Sequence, residues 1–128
     1  MRLLLDTHAF LWAAGDPARL SKRAREAIAD PANEVFVSAA VSWEIVIKAA
    51  RGKITLPMSA ATYIHNRLQA FNFTPLPITH EHALALAGLP PIHADPFDRM
   101  MIAQAQVEGA AFVTSDAIAR RYPCNRLW

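Results

Sequence analysis

Three short apolar segments constrain the fold of this chain most strongly. The segments are LLL at residues 3–5, within a strand predicted at 3–6; VFV at 35–37, within one at 35–38; and FV at 112–113, within a strand predicted in AAFVTSD. Each is apolar at every position, without the alternation of a strand that has one face in water, and each ends at a polar residue. Such runs are typical of strands buried on both faces of a parallel sheet. Helical patterns separate them, so the chain is predicted to form an α/β sandwich in one domain, residues 1–128.

Capping and breaking residues predict the other elements. Ser38 is a good N-cap for the helix after VFV, and Pro96 is typical of a first helical turn. Thr7 is predicted to cap a helix that begins at His8. Helices are predicted at 8–15, 21–30, 39–51, 59–71, 79–89 and 96–108, and two weaker strands at 73–78 and 125–128.

Composition excludes several classes of protein. The chain has 128 residues, 53% of them hydrophobic, so it can bury a core, and the apolar surplus favours self-association or a protein partner. No apolar run approaches the ~20 residues of a membrane span, and Asp6 interrupts the first one, so no signal peptide is expected. The single cysteine, Cys124, favours a cytoplasmic setting. A net charge of +2 does not by itself indicate nucleic-acid binding, and the basic clusters fit solvated helix faces as well as phosphate contacts.

Two acidic residues follow predicted strands. Asp6 comes directly after LLL, and Asp116 comes two residues after FVT. An isolated carboxylate at the edge of a core is costly unless a helix cap, a basic side chain or a metal ion compensates it. Ligands of open α/β sheets bind beyond the carboxyl ends of the strands. We therefore expect Asp6 and Asp116 to meet at one edge of the sheet if their strands are neighbours.

Two further acids lie in helices. Glu44 is part of a narrow polar stripe with Lys48 on an otherwise apolar helix. This stripe is either a solvated face with one ion pair or the lining of a polar cleft, and we favour the cleft. Asp98 is the third residue of a helix that Asp95 would cap, so the helix start alone explains both acids without excluding a second role.

The four acids together predict a metal site. Three or four carboxylates with few histidines or thiols select Mg²⁺ or Mn²⁺. Such an ion lowers the pKa of water and neutralises charge on a phosphate, which suits phosphodiester hydrolysis. Metal binding then explains Asp6 better than helix capping does.

Four segments of the chain resemble the PIN-domain family, and in particular the VapC-type toxins of bacterial toxin–antitoxin pairs. The segments are LLLDTHAFLW, VSAAVSWEIVIKAARGKITLP, LPPIHADPFDRMMIAQAQVEG and FVTSD. The resemblance implies a Rossmann-like three-layer α/β/α sandwich around a short, mainly parallel sheet. It also implies a Mg²⁺- or Mn²⁺-dependent endoribonuclease that forms a homodimer, binds a VapB-type antitoxin and cuts an RNA such as tRNA or rRNA, thereby inhibiting translation.

The resemblance also implies roles for individual residues. The family's acids correspond to Asp6, Glu44, Asp98 and Asp116. We predict that Asp6 and Asp98 are the main metal ligands and that Glu44 and Asp116 complete the set. The family has one acid where this chain has two, so Asp95 stays open as a cap or an auxiliary ligand. Substrate or water contacts are predicted for Thr7, Lys48, Arg99, Thr114 and Ser115, with an ion pair to Glu44 equally plausible for Lys48.

Other residues and functions are given less weight. His93 is predicted to be solvent-exposed near the site, and Trp12, Trp43 and Trp128 to be core or dimer contacts. A phosphotransferase that forms phosphoaspartate on Asp6 commonly has a second Asp two residues later, where this chain has a histidine. A solitary PIN-domain nuclease acting on RNA or DNA and a non-catalytic PIN scaffold remain alternatives.

Overall fold

The computed structural model describes residues 1–128 and contains a five-stranded sheet flanked by six α-helices. The strands are β1 (Arg2–Leu5), β2 (Glu34–Ser38), β3 (Thr74–Leu76), β4 (Ala111–Val113) and β5 (Arg126–Leu127). The helices are α1 (Thr7–Gly15), α2 (Lys22–Ala29), α3 (Ala39–Ala50), α4 (Ala60–Ala70), α5 (His80–Ala85) and α6 (Pro96–Glu108). The predicted α/β class is therefore confirmed.

All strand pairs are parallel, in the order β3-β2-β1-β4-β5. The central strand β1 pairs with β2 on one side and β4 on the other, with Leu5 opposite both Val37 and Val113. The strand order reverses at β1, and this is where open α/β sheets leave a crevice for a ligand. The residues that follow β1 and β4 therefore emerge side by side.

The core explains why the first strand has no polar position. Leu3, Leu4 and Leu5 are all fully buried. Successive side chains of a strand point to opposite faces, so helices must cover both faces of the sheet. Phe10 of α1 and Met101 of α6 are among the large, fully buried side chains of the core. The predicted edge strands β3 and β5 are also present, and both are short.

Most helix starts agree with the sequence, and the first one corrects it. Ser38 and Asp95 cap α3 and α6 as predicted, accepting hydrogen bonds from backbone N–H groups of the first turn. In α1 the N-cap is Asp6 rather than Thr7, because the Asp6 carboxylate accepts the N–H of Ala9 at 2.7 Å. Capping is therefore part of the role of Asp6, against the prediction.

The tryptophans that were predicted to be core or dimer contacts have different surroundings. Trp12 and Trp128 contact each other with ring centroids 5.9 Å apart, whereas Trp43 is 60% exposed and packs edge-to-face on Phe97. The helix predicted at 79–89 ends at Ala85 and continues as a 3₁₀ turn. None of the helices is both long and apolar enough to cross a bilayer.

Candidate metal centre

The predicted acids line one small polar cavity at the edge of the sheet. Its volume is about 140 Å³, and none of its lining side chains is hydrophobic. It lies beyond the carboxyl ends of β1 and β4 and against the first turns of α1 and α6. The lining residues are Asp6, Thr7, His8, Glu44, Lys48, Asp95, Asp98, Ser115 and Asp116. The structure thus brings together all four predicted ligands and the auxiliary candidate.

Asp6 is held by both of its oxygen atoms. Oδ1 accepts the N–H of Ala9, and Oδ2 accepts the hydroxyl of Thr114 at 2.6 Å. The side chain is nearly buried, and burial raises its pKa in spite of these two hydrogen bonds, with the charge of Glu44 adding to the rise. Its anionic form is therefore not fully compensated by the protein alone.

Glu44 is buried in the second turn of α3 and is also bound at both oxygens. The hydroxyl of Thr7 donates to Oε1 at 2.5 Å, and the ammonium group of Lys48 donates to Oε2. This hydrogen bond is the largest cause of the raised pKa of Lys48. The sequence left open whether Lys48 forms an ion pair with Glu44 or lines a polar cleft, and in the structure it does both.

Asp95 and Asp98 have different contacts at the start of α6. Oδ1 of Asp95 accepts the N–H groups of Phe97 and Asp98 at 2.8 and 3.2 Å, so Asp95 is the cap. The carboxylate of Asp98 has no capping bond and faces the cavity. Burial and the neighbouring Asp95 raise the pKa of Asp98 to about 7. Asp98 is thus the least compensated acid of the group.

The last acid is joined to this group through a histidine. Nε2 of His93 lies 3.0 Å from Oδ2 of Asp98 and 3.1 Å from Oδ2 of Asp116. The predicted exposure of His93 is wrong, because only 16% of its side chain is accessible. The sequence shows that His93 lies two residues before the Asp95 cap, which places it near the start of α6. It does not show that the loop turns the imidazole ring inward.

Two predicted substrate contacts lie outside the cavity. Thr114 is buried beneath it, donating to Asp6 and accepting the N–H of Asp116 at 3.0 Å. Arg99 points away and donates to the backbone oxygen of Pro90 at 3.0 Å. Its predicted contact with a phosphate has no support in this arrangement, whereas Thr7, Lys48 and Ser115 do line the cavity.

The donor set fits a divalent cation with oxygen ligands. Five carboxylates line the cavity, and Lys48 supplies the only ammonium group there. Burial is the main cause of the raised pKa values of Asp6 and Asp98, and neighbouring carboxylates add to it, so a cation in the cavity would stabilise both anions. Hard carboxylate oxygens suit Mg²⁺ and Mn²⁺, and there is no thiolate in the cavity to favour a softer metal.

Without metal, the protein is expected to lose stability as the pH rises from about 4 to about 7. The folded state holds the proton of Asp98 more tightly than the unfolded chain does, since the pKa rises from 3.8 to about 7. That contribution is complete below the unfolded value and is lost as the pH passes the folded value. The raised pKa of Asp6 acts in the same direction. Urea unfolding in EDTA at several pH values measures the slope, and a rise in stability across this window would contradict the assignment.

A family model and solved structures match this chain. The model described as PIN domain matches residues 3–123. The complex VapBC2 from Rickettsia felis, solved with a DNA fragment from its promoter, contains a chain that aligns with a TM-score of 0.71 and 16% identity, over 100% of this chain and 98% of that one. FitAcB from Neisseria gonorrhoeae aligns with a TM-score of 0.58 and 20% identity, over 91% and 89% of the two chains. At these identities the structures support the fold.

Sequence comparison gives a nearer relative. Ribonuclease VapC22 of Mycobacterium tuberculosis is 32% identical over 122 residues, which cover 94% of this chain and 91% of that protein. Ribonuclease VapC16 of the same organism is 34% identical over 58 residues, or 45% of this chain and 41% of that protein. The first match spans most of both chains.

Proposed function

Because this chain belongs to the PIN-domain family, we propose that it is a metal-dependent endoribonuclease and the toxin of a VapBC-type toxin–antitoxin module. The observation that carries the proposal is the cavity of five carboxylates at the strand-order reversal of the sheet. Hydrolysis of RNA phosphodiester bonds, with inhibition of translation as the result, is the activity that this chemistry and the name of the relative Ribonuclease VapC22 support.

Asp6 and Asp98 would be the principal ligands of Mg²⁺ or Mn²⁺, with Glu44 and Asp116 completing the set. When bound, the ion supplies positive charge at the phosphate and acidifies water for attack on phosphorus. The raised pKa of Asp98 supports this role, since a cation is the compensation that its buried anion lacks. Asp95, whose Oδ1 is committed to the helix start, is proposed as a cap with at most an auxiliary contact.

The other polar residues position these groups. Thr114 orients the carboxylate of Asp6 through its hydroxyl, and Thr7 does the same for Glu44. Lys48 holds the second oxygen of Glu44 and places a cation at the wall of the cavity, within reach of an anionic substrate. Ser115 is exposed at the rim, where its hydroxyl can donate to a phosphate oxygen.

A cognate antitoxin and a second copy of the chain are the proposed protein partners. Support for the antitoxin comes from structurally similar proteins, which include VapBC, FitAB and another toxin–antitoxin complex. Trp43 and Val46 of α3 are both at least half exposed, which suits a surface covered by a partner. The setting proposed is the cytoplasm, where tRNA and rRNA substrates occur. Failure to co-purify with the product of an adjacent short reading frame would remove the antitoxin from the proposal.

Purified chain, free of any antitoxin, is expected to cut RNA with Mg²⁺ or Mn²⁺ and to be inactive in EDTA. The carboxylates alone provide no nucleophile, so removing the ion should abolish cleavage. A gel assay on tRNA and rRNA fragments, with a 2′-deoxy substrate of the same sequence as the control, measures the activity and the preference for RNA. Cleavage that persists in EDTA would refute the metal role. Equal cutting of both substrates would favour a nuclease without RNA preference, and no cutting of either would favour a scaffold.

A further inference from the structure

One imidazole joins two acids that come from different parts of the chain. Asp98 lies in the first turn of α6, and Asp116 lies beyond β4. Nε2 of His93 is within hydrogen-bonding distance of both carboxylates, at 3.0 and 3.1 Å. The ligand atoms of these three residues all lie within 4.8 Å of one another. His93 is therefore in direct contact with the proposed metal ligands, although it does not line the cavity itself.

The contact of the other ring nitrogen, Nδ1, determines whether Nε2 of His93 carries a proton. Nδ1 faces the backbone N–H of Asp95 at 3.2 Å and therefore accepts that hydrogen bond. A neutral imidazole that accepts at Nδ1 carries its proton on Nε2. Nε2 is then a donor with no lone pair for a metal ion. In this geometry His93 donates a hydrogen bond to Asp116, has a carboxylate oxygen of Asp98 3.0 Å from the same nitrogen, and is not itself a ligand.

The loop that carries His93 is fixed by a buried tyrosine. The hydroxyl oxygen of Tyr122, a residue only 4% exposed, accepts the backbone N–H of His93 at 2.7 Å and that of Ile92 at 3.2 Å. Arg99 adds a second restraint by donating to the backbone oxygen of Pro90. The ring is thus placed by contacts that do not involve the carboxylates.

We propose that His93 is a positioning residue of the metal centre, whose Nε2–H binds the carboxylate of Asp116 and keeps that of Asp98 beside it, so that both are in place for a divalent cation. The inference rests on the proposed function, because it takes these two carboxylates as ligands. Carboxylate oxygens within 4.8 Å of each other repel when both groups are ionised. A hydrogen-bond donor beside both of them reduces this repulsion before the metal ion binds. Groups that orient metal-binding carboxylates typically contribute ~10–100-fold to metal affinity.

The test is the affinity for Mn²⁺ alone, measured by calorimetry without RNA. His93→Ala and His93→Asn are expected to weaken binding ~10–100-fold, because alanine has no donor and the asparagine amide is too short to reach both carboxylates. His93→Gln places an amide N–H near the position of Nε2 and is expected to recover part of the affinity. If the alanine variant does not fold, the glutamine and asparagine variants provide the comparison.

His82→Gln is the matched control. His82 is 1% exposed and its Nε2 lies 2.8 Å from a carboxylate oxygen of Glu108, so it makes the same type of contact away from the cavity. This variant is expected to lower the melting temperature and leave the affinity for Mn²⁺ unchanged. A loss of affinity equal to that of His93→Ala would mean that general destabilisation explains both.

Electron paramagnetic resonance of bound Mn²⁺ separates a donor from a ligand. We expect the wild type to show no nitrogen hyperfine coupling from a coordinated imidazole. A coupling that is present in the wild type and lost in His93→Gln would overturn the inference. Unchanged affinity in His93→Ala would also overturn it while the wild type still binds Mn²⁺ and cuts RNA. If the wild type binds no Mn²⁺, the proposed function fails, and the inference fails with it.

Discussion

Asp98→Asn is expected to abolish metal-dependent RNA cleavage and, in the metal-free protein, to raise the melting temperature above pH 7. The variant removes a principal ligand, so the loss of activity should be at least the ~100-fold seen when only a ligand's supporting partner is lost. It also removes a negative charge that burial and the neighbouring Asp95 destabilise, as the pKa of about 7 indicates. The gain in stability should be on the order of 1–3 kcal/mol at pH 8.

The pH dependence of this gain makes the prediction specific. Near pH 4 the carboxyl group of Asp98 is neutral in the folded wild type, so wild type and Asp98→Asn should then have similar melting temperatures. Adding Mn²⁺ should raise the melting temperature of the wild type and not that of the variant. Scanning fluorimetry at several pH values, with EDTA or Mn²⁺, measures both effects.

Glu81→Gln is the control for Asp98→Asn. Glu81 is an exposed acid in the first turn of α5 and lies outside the cavity. Its replacement should change neither cleavage nor the pH dependence of stability. If Asp98→Asn cuts RNA at the wild-type rate, Asp98 is not a ligand, and if it is less stable than wild type at pH 8, its buried charge is compensated by the protein.

Asp6→Asn and Asp6→Ala are expected to be equally inactive but to differ in stability by about 2–4 kcal/mol. Both remove the ligand and its charge. Asparagine keeps an oxygen to cap α1 at Ala9 and an amide to pair with the hydroxyl of Thr114. Alanine loses the cap, worth ~1 kcal/mol, and leaves a buried hydroxyl without its partner, at a cost of ~1–3 kcal/mol.

Urea unfolding of both Asp6 variants in EDTA measures this difference. Comparing the two variants with each other cancels the charge relief that they share, which a comparison with wild type would not do. Equal stability would show that the observed cap and the Thr114 hydrogen bond contribute little. Wild-type cleavage by either variant would remove Asp6 from the proposed ligand set.

Much of the fold could be predicted because its signals are local. Ser38 and Asp95 cap their helices through atoms two or three residues away, so the capping pattern is visible in the sequence. The clustering of the acids was also predictable, because parallel strands present their carboxyl ends at the same edge. Asp6 lies in the predicted cluster, but its capping role was ranked below metal binding although a carboxylate has two oxygens and can serve both purposes.

Contacts between distant side chains were not predictable in the same way. The direction of Arg99 depends on the backbone of Pro90 and the hydroxyl of Tyr122, so its predicted substrate contact could not be checked from its place in the sequence. The burial of His93 depends on the same tyrosine, which lies 29 residues further along the chain. No periodicity or capping rule connects positions so far apart.

The sequence by itself determined which segments are strands buried on both faces and which acids follow them. Three consecutive leucines can only be buried together if both faces of the sheet are covered, and Asp6 must then emerge at its edge. Only the tertiary structure decided which oxygen of each acid is committed to the protein and which faces the cavity. That choice depends on packing between β1, β4 and the loop before α6, where differences of an ångström separate a hydrogen bond from no contact.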